Sequence, residues 1–289
     1  MLNDEEVKWI PSRVFIVPYR NRIQHKFFFS KQMSFILEGK EDYEIYFVHQ
    51  MDSRPFNRGA MKNIGFIAMK SKYPDHYKNI SFIFNDVDTL PFHKLFDYNT
   101  EIGTVKHYYG FKTALGGIVV IKGQDFERVN GYPNYWGWGM EDACLQNRCN
   151  YVKIKIDRTQ FFPIGSPEIL QLFDGVDRLV CAKDPQRMTQ DRGLDGIKTI
   201  HKLAYTIDKE SKNPADNVYI VESDQILYVN VLSFMSLVSF ETDQYHDYDL
   251  RDSLKKVVNP EISKIKSSNF VNTTNDWKKI PYNPFFGKK

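Results

Sequence analysis

The sequence predicts an α/β protein with a mostly parallel central sheet flanked by helices. Three observations carry this. Short apolar, β-rich runs alternate with helix-length segments through the first ninety residues. Each run ends in a turn-forming or charged segment rather than in a tight hairpin, as crossover connections require. The composition, 42% hydrophobic and 26% charged over 289 residues, suits a soluble chain with a sizeable core.

The elements follow in order. Val14–Val17 is a strand stopped by Pro18, and a helical pattern over His25–Glu38 closes at Gly39. Glu44–His49 is the second strand, followed by helix-like spacing from Met61 to Lys70 that ends before Tyr73-Pro74. Ser81–Phe84 is the third strand and runs directly into Asn85-Asp86-Val87-Asp88. Ligands bind at the carboxyl ends of parallel strands, which puts Pro18–Arg22, Gln50–Arg58 and Asp86–Asp88 on one rim. Further on come a strand over Gly117–Lys122, a short helix over Gly123–Arg128, a turn at Asn130–Pro133 and the aromatic loop Trp136–Gly139. A helix begins near Glu141, the stretch from Phe161 to Gln190 is rich in loops, and Val218–Val221 with Ile226–Val231 form a small late strand pair. Beyond Glu241 the chain turns polar and lysine-rich, with one short helix expected over Leu250–Val258. The expected organisation is a main domain over residues 1–240 and an extension over 241–289.

Bulk properties exclude several classes. A formal net charge of +3 with scattered lysines gives no basic patch for nucleic acid. Cys144, Cys149 and Cys181 match neither a disulfide framework nor a zinc cluster, so reduced, buried thiols are expected. Met1–Ile10 is polar and acidic, without the apolar region of a signal peptide, and no stretch reaches the roughly 18 apolar residues of a membrane span. The expectation is a cytoplasmic or otherwise soluble intracellular protein. Aromatic residues make up 15% of the chain and serve either the core or a sugar- or base-binding surface.

Two acidic motifs carry the chemistry. Asp86 and Asp88, two residues apart at a strand end, form a site for a hard divalent cation, which favours carboxylate and phosphate oxygens. Glu141-Asp142 begins a helix, where the dipole stabilises carboxylates. Beside an aromatic, glycine-rich loop, such a carboxylate can bind a sugar hydroxyl and remove its proton. Arg20, Arg22 and Arg58 lie just past separate strands on the same rim, and guanidinium forks suit phosphate oxygens.

The order of motifs resembles the β-1,4-galactosyltransferase family. The matching segments are Val17-Pro18-Tyr19-Arg20-Asn21-Arg22, Pro55-Phe56-Asn57-Arg58-Gly59 with Asn63-Ile64-Gly65-Phe66, and Phe84-Asn85-Asp86-Val87-Asp88. Gly116-Gly117-Ile118 and Asn130 through Gly139 with Glu141-Asp142 complete the set, and weaker likeness continues through Asp184-Pro185-Gln186-Arg187 to about Ser239. The resemblance implies a Rossmann-like GT-A fold, a UDP-sugar donor, a glycan or glycoconjugate acceptor, manganese (with magnesium as the alternative) and inversion at the anomeric carbon. It gives Pro18, Tyr19, Arg20, Arg22, Phe56 and Arg58 to uridine and diphosphate. Asp86 faces the nucleotide with Val87 beside it, and Asp88 ligates the metal. Trp138 and Gly139 belong to a loop that closes on the donor. Glu141 binds the acceptor hydroxyl, and Asp142 is the catalytic base.

Departures from the family pattern bear on specificity. The family's further metal ligands come from a Met-x-x-His segment, and the corresponding stretch here, Gln171–Gly175, offers Asp174 as the only carboxylate. Asp174 is the expected substitute ligand. Ala114 stands where galactose-using members carry a bulky tyrosine, which leaves the transferred sugar open between a hexose and an N-acetylhexosamine. Met140 and Ala143-Cys144 depart from the usual residues around Glu-Asp and leave the acceptor open. Tyr108, Tyr109 and Phe111 line either the acceptor cleft or the core. The competing reading is a catalytically silent nucleotide-sugar or glycan-binding module on the same fold.

Overall fold

The computed structural model describes residues 9–240 and 245–250. The chain falls into two compact units, one of 1–174 with 179–246 and a second of 175–178 with 247–289.

The first unit is organised by a sheet. Strands β1 (Arg13–Tyr19), β2 (Tyr43–Gln50) and β3 (Ser81–Asn85) alternate with helices α1 (Ile23–Ile36) and α2 (Arg58–Lys72). Short β4 (Thr89–Pro91) precedes β5 (Thr104–Gly110), β6 (Ile118–Lys122), α3 (Gly123–Arg128) and α4 (Glu141–Tyr151). Then come β7 (Lys155–Asp157), β8 (Phe162–Pro163), β9 (Ile169–Gln171), β10 (Asp177–Cys181), α5 (Asp184–Thr189), β11 (His201–Asp208), β12 (Ile226–Met235) and β13 (Tyr245–Asp249). The sheet order is β11-β12-β2-β1-β3-β6-β5-β7, with β8 also on β5. β1 is parallel to both β2 and β3, and β12 is parallel to β2; β6 runs antiparallel between β3 and β5.

Alternation along the strands divides the core into two faces. Val14, Ile16, Tyr46, Val48, Phe82, Phe84, Val119 and Ile121 pack toward α2 and α3. Phe15, Val17, Tyr19, Ile45, Phe47, Ile83, Ile118 and Val120 pack with Phe29, Met33 and Ile36 of α1. Burial on both faces explains why the strands read as continuous apolar runs. Much of the aromatic content is spent here: Phe66 packs edge-on to Phe82 and Phe126 at 4.9 and 5.0 Å, and Phe84 lies 4.4 Å from Phe126.

Several boundaries differ from the sequence expectation for local reasons. β1 continues through Pro18 to Tyr19, because its pairing with β3 ends at Ile16↔Phe84 and only the β2 ladder continues, with Pro18 opposite Val48. α2 begins three residues before Met61, since the Asn57 side chain accepts the Ala60 N–H at 2.9 Å and caps the helix. The late strand pair is real in its second member only. β12 pairs antiparallel with β11, over His201–Asp208, whereas Val218, Tyr219 and Ile220 are exposed and follow a 3-10 turn at Pro214–Asn217. From residue 251 on, the helix expected over Leu250–Val258 lies outside the described residues, as does most of the 241–289 extension. Cys144, Cys149 and Cys181 are free and buried, as their spacing implied. Among the described residues no helix is long and apolar enough to cross a membrane.

α2 approaches the Asn130–Pro133 turn so closely that only glycine fits at position 59, where a Cβ would lie 2.2 Å from the Pro133 carbonyl oxygen. Gly59→Ala is expected to destabilise the protein by about 1–3 kcal/mol through overpacking, read as a lower urea midpoint at unchanged m-value.

Candidate active site

The ends of β1, β2 and β3 bring Pro18–Arg22, Gln50–Arg58 and Asp86–Asp88 to one edge, as parallel topology requires. Gln50 at the end of β2 accepts the Asn57 N–H at 2.8 Å and donates to the Pro55 carbonyl at 3.0 Å, which shapes the turn that presents Arg58. Asp86 follows β3, its N–H bonded to the Gly117 carbonyl at 3.1 Å.

Glu141 and Asp142 arrive from the other side at the first turn of α4. Their placement is fixed from beneath. Asn63 of α2 donates to the Tyr132 carbonyl at 2.7 Å and to Asn134 at 2.9 Å, and Asn134 donates to Asp195 at 2.8 Å. Farther along α4, Arg148 forks onto Asp191 at 2.7 and 2.8 Å and donates to the Gly131 and Asp195 carbonyls, each at 2.7 Å. Met140 enters the helix at a positive φ of 71°, just after Gly139 at 97°. The Leu115 N–H bonds the Asp142 carbonyl at 2.9 Å, and a Cβ on Gly116 would stand 2.3 Å from the Asp142 carboxylate. Gly116 is therefore the space in which that carboxylate sits.

At the centre is the Arg58 guanidinium. Nη2 donates to both Asp86 oxygens at 2.7 Å, while Nη1 reaches Glu141 at 2.7 Å and both Asp142 oxygens at 2.9 Å. Lys62, one turn farther along α2, brings its ammonium to 3.3 Å from Asp142 and 3.8 Å from Asp86. Burial pushes the Asp142 carboxyl up, but Arg58 and Lys62 together outweigh it and hold the group below the usual carboxylate range. Glu141 goes the other way: burial and then the Asp142 charge raise it, against the pull of Arg58 and Lys62. One Glu141 oxygen, Oε2, is buried and has no hydrogen-bond partner among the described residues.

Asp88 lies next to this cluster, two residues beyond Asp86. Burial, then the charges of Asp86 and Asp174, push its carboxyl up to about 6. The loop bearing Asp174 is docked against it: the Leu172 N–H donates to the Asp88 carbonyl at 2.8 Å, Arg22 to the Asp174 carbonyl at 2.8 Å, and His25 contacts the Phe173 carbonyl at 3.0 Å. Among the described residues no group of three or more His, Cys, Asp or Glu side chains forms a ready-made metal cage. Asp88 and Asp174 offer hard oxygen ligands whose repulsion a divalent cation would relieve, and such ions commonly take one or two carboxylates and complete their shell with phosphate and water.

The remaining expected residues divide by exposure. Phe56, at 36% exposure, and Trp138, at 49%, stand at the surface of the site, and the Trp138 N–H is bonded to the Leu179 carbonyl at 2.7 Å. Arg20 donates to the Arg54 carbonyl. Pro18 and Val87 are buried. Tyr19 is fully buried, its hydroxyl donating to Asp216 at 2.8 Å, so its side chain faces the core and only its backbone belongs to the rim. Tyr108 stacks on Phe96 at 4.1 Å in the core, and Tyr109 is buried with its hydroxyl bonded to Gln171 at 2.7 Å. Of those three aromatics only Phe111 is exposed. A cavity of about 450 Å³ lined by Lys26, Ser30, Tyr219 and Tyr228 includes none of Asp86, Asp88, Glu141, Asp142 and Asp174.

Sequence reasoning missed Lys62, whose only signal was a lysine inside an otherwise apolar helix face. It also passed over His107. Burial and Arg158 push the His107 imidazole down to about 4, and its Nε2 lies 2.9 and 3.1 Å from the Tyr109 and Gly116 carbonyls. It thereby braces the strand end on which Asp142 rests.

The fold is that of a GT-A glycosyltransferase. The catalytic domain of Drosophila β1,4-galactosyltransferase 7, solved with xylobiose, superposes with a TM-score of 0.58 over 76% of this chain and 93% of that one, at 20% identity. A mutant of the same enzyme, solved with manganese, UDP-Gal and xylobiose, gives 0.60 at 18% identity and the same coverage. Two successive family models match the sequence, the N-terminal region of glycosyl transferase group 7 over residues 6–101 and the N-terminal domain of galactosyltransferase over 98–170. Together they span more than half of the chain, which belongs to the β-1,4-galactosyltransferase family. Human β-1,4-galactosyltransferase 4 is 31% identical over 166 residues, covering 53% of this chain and 47% of that protein. The Caenorhabditis elegans xylosylprotein 4-beta-galactosyltransferase is 28% identical over 208 residues, 67% of this chain and 70% of the relative. The chain spans about half the length of the first of these relatives.

The raised Asp88 carboxyl has a measurable consequence. The native state keeps its proton up to about pH 6, whereas the unfolded chain releases it near pH ~4, so between these values the native state binds more protons and stability falls as pH rises. Asp88→Asn is expected to remove this slope and to stabilise metal-free protein at pH 7 by on the order of 1 kcal/mol or more, measured by urea unfolding at pH 4 to 7.

Proposed function

We propose that this chain is a metal-dependent, inverting glycosyltransferase that moves a hexose or N-acetylhexosamine from a UDP-sugar to a hydroxyl of a glycan or glycoconjugate. The observation that carries the reading is the convergence of Asp142, held as a carboxylate by Arg58 and Lys62, with the buried Oε2 of Glu141, which has no partner among the described residues. An ionised carboxylate accepts a proton, and an unpaired buried oxygen beside it accepts a hydrogen bond from the incoming hydroxyl.

The division of labour follows from position. Arg20, Arg22 and Arg58 stand at the strand ends where a diphosphate would lie, and Phe56 offers an exposed ring at the same edge. Asp86, with Val87 behind it, faces the nucleotide. Asp88 and Asp174 would hold manganese, or magnesium, which when bound neutralises the charge of the departing diphosphate. Glu141 orients the acceptor hydroxyl, Asp142 takes its proton, and attack from that side inverts the anomeric carbon. Trp138 and Gly139, at the exposed mouth, exclude water by closing over the donor. The manganese, UDP-Gal and xylobiose of the Drosophila structure support this assignment of donor, ion and acceptor class. Ala114, half-buried in the turn before Gly116, leaves room for a sugar substituent.

Incubation with a panel of UDP-sugars, manganese and candidate acceptors is expected to release UDP only when metal and acceptor are both present. Asp142→Asn should lower turnover about 10²–10⁴-fold, the usual contribution of a positioned base, while donor binding by calorimetry persists. Acceptor-independent binding with no turnover in the wild type would instead identify a silent binding module. Asp174→Ala should raise the manganese concentration needed for half-maximal activity by about 10-fold or more; an unchanged metal dependence would remove Asp174 as a ligand.

A further inference from the structure

Lys62 is the most deeply buried charge facing Asp142, and the proposed chemistry gives it neither donor nor acceptor to touch. It is 1% exposed, in the middle of α2, a helix whose Ala60, Met61, Ile64 and Phe66 are buried in the core. Lysine is almost never so buried unless paired. Its ammonium lies 3.3 Å from Asp142, 3.8 Å from Asp86 and 4.4 Å from the centre of the Tyr132 ring.

The two cations that face Asp142 differ in freedom. Arg58 is at the rim, with 21% of its side chain exposed, and divides its five N–H groups among Asp86, Glu141 and Asp142. A diphosphate at the strand ends would compete for that guanidinium. Lys62 lies on the floor of the site, its stem packed in the core, and has nowhere else to go. When Arg58 turns toward a donor, Lys62 is the cation that remains within hydrogen-bond reach of Asp142.

We propose, on the reading of Asp142 as the base, that Lys62 is a positioning residue: a fixed cation that keeps the Asp142 carboxylate charged and aimed at the acceptor while Arg58 serves the donor phosphates. The other groups facing Asp142 cannot replace it. Glu141 and Asp86 carry the same sign as Asp142, and His107 beneath the Gly116 strand end is held neutral by burial and by Arg158. Burial, followed by the Asp142 charge, pushes the Tyr132 hydroxyl upward, so it stays uncharged. The position is demanding. Between two carboxylates and an aromatic face, a flexible stem with a compact charge fits, and a neutral side chain of equal length leaves both acids with Arg58 alone.

The test compares Lys62→Met, Lys62→Arg and Asp142→Asn in the full chain, with kcat, donor KM and the pH profile of kcat as readouts. A nearby opposite charge lowers a carboxyl by about 1–3 pH units, so Lys62→Met is expected to move the acid limb of kcat upward by about one unit or more. At neutral pH kcat should fall about 10-fold or more, with donor KM changing less than about threefold, as for an interaction that acts on the base and not on the nucleotide. Lys62→Arg should keep the limb near its wild-type position. Lys62→Gln, neutral but still a hydrogen-bond donor, carries the same expectation as methionine and covers the case in which Lys62→Met does not fold. An unmoved acid limb in both neutral variants, or equal loss in Lys62→Arg without a shift, would reduce Lys62 to a packing residue and overturn the proposal. Loss of turnover in Asp142→Asn beside normal Lys62 variants would remove only this inference, whereas normal turnover in Asp142→Asn would remove the reading on which it rests.

Discussion

The Arg58 guanidinium ties together three segments far apart in sequence: the end of β3 through Asp86, the start of α4 through Glu141 and Asp142, and its own helix α2. Burial works against the charged form of Asp142, and the opposite charges of Arg58 and Lys62 outweigh it, whereas Glu141 stays raised by burial and by Asp142. Like charges placed this close without Arg58 would drive the two motifs apart. The rest of the architecture serves to hold the two acidic motifs near enough for one side chain to span them.

That closeness rests on contacts where nothing bulkier fits. Gly59 lets α2 lie against the Pro133 carbonyl, and Gly116 makes room for the Asp142 carboxylate itself. Asn63, Asn134 and Asp195 satisfy the turn between them, so that a stretch with little regular structure is nevertheless fixed by buried hydrogen bonds. The catalytic geometry proposed for this chain depends on these small residues and amides as much as on the charged groups.

Charge is distributed unequally across the site. The charge of Asp142 is compensated by two cations, which hold its carboxyl below the usual range. Asp88, by contrast, is opposed by Asp86 and Asp174 and held uncharged to higher pH. An excess of carboxylates on one side of a cleft favours a divalent cation there, and its diphosphate-bound form brings back the negative charge that draws Arg58. In the proposed reaction, donor binding and base activation would in this way be coupled through one guanidinium, with Lys62 as the fixed reference.

How much was legible in the sequence follows from what each feature depends on. Local pattern determined the parallel strands and their helices, because apolar runs of strand length separated by amphipathic segments admit few other arrangements. The same pattern located Asp86–Asp88 and Glu141–Asp142 at element ends. Precise bounds were less legible: the strand run through Pro18 depends on where β3 stops pairing, and β11 was hidden because His201–Asp208 has a weak alternation that only β12 completes. Val218–Val221 looks like a strand from its β-branched residues but pairs with no strand among the described residues. Tyr19 reads as donor-facing from its motif and Tyr108 as either cleft or core, and only the faces of the sheet turn both side chains into the core. The sequence by itself determined the fold class, the order of motifs and the acid–base residue types, since these follow from periodicity and chemical identity. Only the tertiary structure decided that Arg58 joins both acidic motifs, that Lys62 lies beneath Asp142 and that Gly116 is the space for its carboxylate, because each is a distance between segments 25 or more residues apart.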